Sequence, residues 1–161
     1  MKRILYLLAA LLVMLPCVAG AQVMQDVFDR YSTDKGCTYV QLESRMMRMM
    51  RDRATEKGDT KLAELLAGIR SIQILVMNEG DAERLRLDAD ELLAPRFKPV
   101  STIAEQGQTT CCYIRRSTLT DRSEFVLFTC GERETVLLDI YGHFDLNDVT
   151  RLASIRPQNR R

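Results

Sequence analysis

Two periods of apolar positions run along this chain and divide it roughly in the middle. After residue 22 the helical period comes first. Val23, Val27, Phe28 and Tyr31 share one stripe of a short amphipathic helix, 23–31. A strand-like run at 37–42 precedes a helix predicted from Ser44 to about residue 57, with Gly58 as its stop. Met46, Met49, Met50 and Ala54 recur there at helical spacing, which makes them its expected core face and leaves Met47 off the stripe as a candidate partner contact. Asp59 or Thr60 caps a second short helix, 61–67, closed by Gly68. The clearest strand is 69–77, with Ile72, Ile74 and Val76 on one face and Gln73, Leu75 and Met77 on the other. A turn at 78–81 leads into a charged helix carrying Leu85, Leu92 and Leu93, expected to end before Pro95 or Pro99. The second half has the period of strands. Runs at 100–105, 109–116, 124–130 and 135–141 are separated by short turn-rich segments, the pattern of an antiparallel meander. A final helix is predicted over 146–154, with Asp145 as its N-cap and Asp148 at the third helical position, as in a capping box. Helices early and strands late predict an α+β fold. The sheet is expected to be largely antiparallel with about five to six strands, and the helices to pack mainly on one face.

The first residues follow another logic. Lys2 and Arg3 precede an apolar run over 4–15, Pro16 breaks it, and Ala19-Gly20-Ala21 has the small-x-small pattern of a signal-peptidase site. The expected cut after Ala21 leaves a mature chain that starts at Gln22. The expected organisation is a signal peptide at 1–21, one domain at 22–155 and a flexible basic tail at 156–161. Export to the periplasm or envelope as a soluble product follows. The rival fate, lipidation at Cys17, is disfavoured because Pro16 stands where lipoprotein signals carry a small flexible residue.

Composition narrows the function classes. The mature 140 residues are one ordinary domain in size. Without Lys2 and Arg3 they carry 21 basic and 22 acidic side chains, interspersed, so no basic stripe supports a nucleic-acid partner. No later apolar run approaches the roughly 20 residues of a membrane span. Four cysteines remain: Cys37, Cys111, Cys112 and Cys130. Adjacent residues on a strand point to opposite faces, so only one of Cys111 and Cys112 easily reaches a given partner. A Cys112–Cys130 or Cys111–Cys130 disulfide is expected, with buried free thiols the alternative.

Several local patterns resemble the DUF4252 family, small exported proteins found mainly in Bacteroidetes. They are Phe28-Asp29-Arg30-Tyr31-Ser32 followed by Gly36-Cys37-Thr38-Tyr39-Val40, the strand segment Ile69-Arg70-Ser71-Ile72-Gln73-Ile74-Leu75, and the corner Ile140-Tyr141-Gly142-His143-Phe144-Asp145-Leu146 running on to Val149 and Leu152. The resemblance spans nearly all of the mature chain. It implies no activity and carries over no catalytic residue. Many members look like lipoproteins, from which Pro16 departs, and four mature cysteines look unusual among them.

Candidate chemistry is sparse. Met46/Met49 and Met47/Met50 form two Met-x-x-Met pairs that offer thioethers to Cu(I), but the interleaved Arg48 and Arg51 repel a cation, and core packing is the preferred reading. His143, the one histidine, joins no C-x-x-C or H-x-x-x-H spacing that would make a zinc or thiol-catalysis set. Asp145 and Asp148 are explained by helix capping, and Gly142 by a tight strand-to-helix corner. No phosphate loop or G-x-S-x-G is present. The expectation is therefore a non-enzymatic module without cofactor or metal. It binds an unknown envelope protein, through a sheet edge or a helix face. The alternative is a small-molecule or soft-metal binder that uses the Met-rich helix or a sheet–helix pocket.

Overall fold

The computed structural model describes residues 22–78, 82–105, 107–132, 134–144 and 147. Among them the elements run α1 (Gln25–Tyr31), β1 (Cys37–Leu42), α2 (Ser44–Glu56), α3 (Thr60–Gly68), β2 (Ile69–Asn78), α4 (Ala82–Arg96), β3 (Lys98–Glu105), β4 (Gln108–Arg116), β5 (Ser123–Cys130) and β6 (Glu134–Gly142). The expected signal peptide, the cap Asp145, nearly all of the final helix and the basic tail lie outside the described residues.

All six strands join one antiparallel sheet in the order β1-β2-β6-β5-β4-β3, and the fold is α+β. The four-strand meander expected from the turn spacing is β3 to β6. Each of its connections is too short for anything but a hairpin. β2 then pairs with β6, and β1 with β2, so the early strands extend the meander at its β6 side.

Register sorts the side chains into two cores. Leu75, Met77, Val126, Phe128 and Leu137 point to one face, where they bury Met24, Val27, Phe28 and Tyr31 around α1 and Leu85, Ala89 and Leu93 of α4. Ile69, Phe125 and Ile140 point to the other, against Met47 and Ala54 of α2 and Leu66 of α3. Among the described residues helices thus cover both faces, two on each, rather than mainly one. The charged helix reads to Arg96, through Pro95, because a proline in the last turn leaves little helix beyond it to disturb.

The roll of α2 is opposite to the expected one. Met47 is 2% exposed, while Met46, Met49 and Met50 are 44%, 49% and 39% exposed. Met47 and Ala54, seven residues apart, form the buried stripe, and Ala54 fits both candidate faces. One residue, Glu43, connects β1 to α2, so the helix leaves the sheet with little freedom to roll. Met47 is therefore core and not a partner surface. Ser44 is not the N-cap either; its hydroxyl donates to the Arg70 carbonyl at 3.1 Å. Asp59 does cap α3, accepting from the Leu62 amide at 3.1 Å, and Gly58 stops α2 with φ +75°.

Gly142 is required by close approach. A Cβ there would collide with the Gly68 carbonyl and lie 2.9 Å from the Arg70 nitrogen. Gly68 in turn admits no Cβ beside the His143 carbonyl, and the His143 amide donates to Gly68 O at 2.8 Å. Two glycine backbones in contact lock the end of α3 to the end of β6.

Candidate functional site

Three features stand out on this frame. The first is the β3 edge of the sheet, whose other edge is β1. Among the described residues β3 is hydrogen-bonded only to β4, and all eight of its residues are exposed, with Val100 at 37% and Ile103 at 53%. An edge strand presents main-chain donors and acceptors that a further strand can satisfy. Lys98 and Pro99 at its start blunt that edge, and the pairing register shifts between Pro99 and Ser101.

The second is a cleft of about 520 Å³ where the α2–α3 hairpin meets the end of the sheet. Its lining includes Arg48, Arg51, Arg70, Arg122 and His143 and no acidic side chain. These come from α2, β2, the β4–β5 connection and the residue after β6. Arg51 pairs with Asp52 just outside, and Arg122 lies over the Tyr141 ring, 5.8 Å from its centroid. No basic stripe is visible in the sequence because the cations converge only on folding.

The third is a buried polar cluster under the start of the described chain. Glu124 on β5 is fully buried. It accepts from the Val23 and Met24 amides at 3.1 and 3.0 Å and from Arg115 of β4 at 3.1 and 2.7 Å. Asp139 on β6 lies beside it, fully buried. Register makes Asp139 the partner of Val126 and of Gln73, and Glu124 the partner of Tyr141, so both carboxyls share the α1 face of the sheet. The Gln22 side-chain amide donates to one Asp139 oxygen; the other has no hydrogen-bond partner among the described residues. Burial, and then the charge of Glu124, push the Asp139 carboxyl well above the usual carboxylate range.

The four described cysteines, Cys37, Cys111, Cys112 and Cys130, are free thiols. Cys130 stands opposite Thr109, and Cys111 opposite Phe128, so Cys111 and Cys130 are diagonal neighbours on the α1 face. Cys112 packs on the α2–α3 face, which rules out the Cys112–Cys130 pairing. Burial pushes the Cys37 and Cys130 thiols up, away from the thiolate that a nucleophile needs. His143 is exposed and lines the arginine cleft, apart from the cysteines. Among the described residues no three His, Cys, Asp or Glu side chains gather as a metal site, and no helix is long and apolar enough to cross a membrane.

A family model described as a domain of unknown function, DUF4252, matches residues 31–152. The chain belongs to the DUF4252 family. No curated protein and no solved structure matches it. The DUF4252 match spans α1's last residue to beyond β6, and so takes in the β3 edge and both carboxylates.

Of the residues singled out in the sequence, Gly142 is where close packing needs it, and Cys111 and Cys130 share a face. Met47 moves to the core. Ala19, Ala21 and Asp145 lie outside the described residues. Glu124 and Asp139 were missed. A charged residue at alternate positions of an apolar strand was the available signal, as in Glu124-Phe125-Val126 and Leu138-Asp139-Ile140.

Proposed function

We propose that this protein is an exported, non-enzymatic module of the cell envelope that binds a protein partner by adding a strand to β3. The observation that supports it is the edge itself: eight consecutive exposed strand residues with two exposed branched apolar side chains. Strand addition draws affinity from main-chain pairing and specificity from the side chains along the strand, here Ile103 and, at the register shift, Val100. The partner is an envelope protein with an extended segment, which fits a role in sensing or signalling.

A photo-crosslinking residue at Ile103, in the full chain expressed and exported in its native cell, tests this. A discrete adduct should form there, should not form from Leu87 on α4, which is equally exposed, and should be lost when Val100→Lys is added. An adduct pattern that is the same at both sites would refute strand addition.

The arginine-lined cleft supports a second reading, a binder of small anionic molecules in a sheet–helix pocket. The outward roll of Met46, Met49 and Met50 also opens their thioethers to a soft metal such as Cu(I). Calorimetry with inorganic phosphate and with Cu(I) separates these: heat that disappears in Arg70→Ala assigns the cleft, and heat that disappears in Met49→Leu assigns the helix.

A further inference from the structure

The buried cluster contains more negative than positive charge. Among the described residues Glu124 and Asp139 face a single cation, Arg115, which both contacts Glu124 and lies over the Phe97 ring at 5.8 Å. From the residues before α1, from α1 and from β2 come the neutral groups Gln22, Gln25, Ser71 and Gln73; Ser71 donates to Gln22 at 3.4 Å, and Gln73 is satisfied by Tyr39 and Gln25 at 2.8 Å each. One Asp139 oxygen, in full burial, is left without a donor among the described residues. A buried carboxylate in that position is costly unless a cation reaches it or it keeps its proton.

The chain segment lying over the cluster is 22–24. Its amides at Val23 and Met24 both point into Glu124, and the Gln22 side chain already reaches Asp139. The next nitrogen back along the chain is Gln22 N, one residue, or about 3.8 Å between Cα atoms, from the Val23 amide's own residue. In the precursor that nitrogen is an amide bonded to Ala21. Hydrolysis of the Ala21–Gln22 bond takes up one water and leaves a carboxylate on Ala21 and an ammonium on Gln22.

We propose that Asp139 and Glu124 form a buried site for a primary ammonium group, occupied by the α-ammonium of Gln22 that signal-peptide cleavage releases. The inference rests on the export reading, since only a cut after Ala21 supplies the group. Three donors on one ammonium match the orphan Asp139 oxygen and leave the cluster electrically neutral. The start of α1, already held by Glu124, then gains a second anchor at Asp139 only in the mature chain. An ammonium held this way is also a poor nucleophile. Cyclisation of Gln22 to pyroglutamate, in which the amine attacks the side-chain carbonyl and expels ammonia, is blocked while the site is filled.

The test uses the mature chain recovered after export and a second form that keeps Ala21 ahead of Gln22, each with and without Asp139→Asn. The exported chain should have the intact mass of 22–161 with no loss of ammonia. Its α-amine should react with an amine reagent at pH 7.5 at least about sevenfold more slowly than in the denatured chain, the factor expected at that pH from an α-amino pKa raised by one unit. Retaining Ala21 should lower Tm at pH 7 by at least about 3 °C, and Asp139→Asn should erase both the slow labelling and the Tm difference. A mass beginning elsewhere overturns the export reading and the site's occupant with it. A mass beginning at Gln22 with ordinary amine reactivity, or with ammonia lost from the folded chain, overturns the ammonium site alone.

Discussion

Replacing Glu124 by alanine removes the acceptor for four donors at once. The Met24 amide is buried with no other acceptor, the Val23 amide is partly so, and the Arg115 guanidinium, whose side chain is 21% exposed, loses its carboxylate. Breaking one side of a buried pair costs about 3–5 kcal/mol. Part of that returns, because Asp139 no longer faces a like charge; one pKa unit regained there is worth about 1.4 kcal/mol. The net loss should be about 2–4 kcal/mol in urea unfolding of residues 22–161 at pH 7. The loss should be local in origin. Amide exchange should accelerate first at residues 23–28, where α1 is pinned, and only later in β5 and β6. A loss under about 1 kcal/mol, or exchange that rises evenly across the sheet, would refute the assignment of Glu124 as the anchor of α1.

The roll of α2 makes a paired prediction: Met47→Ala should cost about 2–5 kcal/mol by thermal or urea unfolding, while Met49→Ala stays within about 0.5 kcal/mol. Gly142→Ala forces backbone apart at Gly68 and should cost about 3 kcal/mol or more, with poor yield of folded protein the first sign. Mild oxidation followed by intact mass should remove two hydrogens in a Cys112→Ser chain but none in Cys111→Ser, because Cys111 is the diagonal neighbour of Cys130 on its face, Cys112 is on the other face, and Cys37 lies three strands away on β1. Burial and the Asp88 hydrogen bond raise the Tyr31 phenol to about 12. Its contribution to stability should be present below pH 10 and be lost as pH rises toward 12. Tyr31→Phe should flatten that alkaline limb in unfolding measured across pH.

Much of the fold was legible in the sequence. Alternating strand positions and short turns named the meander, and they did so because hairpin connections leave no other topology open. The placement of β2 beside β6 was not legible, since long-range pairing has no local signature. The helix faces were only half legible. In α1, α3 and α4 the apolar stripe is unambiguous, whereas α2 offers four methionines and two stripes that share Ala54, and the choice was made by its tether at Glu43. The candidate sites were least legible of all. The arginine cleft draws its cations from four separate stretches, and the carboxylate cluster looks in sequence like two ordinary charges within apolar strands. Cysteines read as a disulfide framework separate once register puts Cys112 on the other face.

The central claim is that β3 is a docking edge, and amide hydrogen exchange across residues 98–105 addresses it most directly. The mature protein would be compared alone and after capture with the protein that crosslinks to Ile103. Strand addition predicts that alternate amides of β3 exchange freely in the isolated protein and become protected in the complex, with β4 unchanged. Protection that appears instead on α2 or around the arginine cleft, with β3 still open, would contradict it.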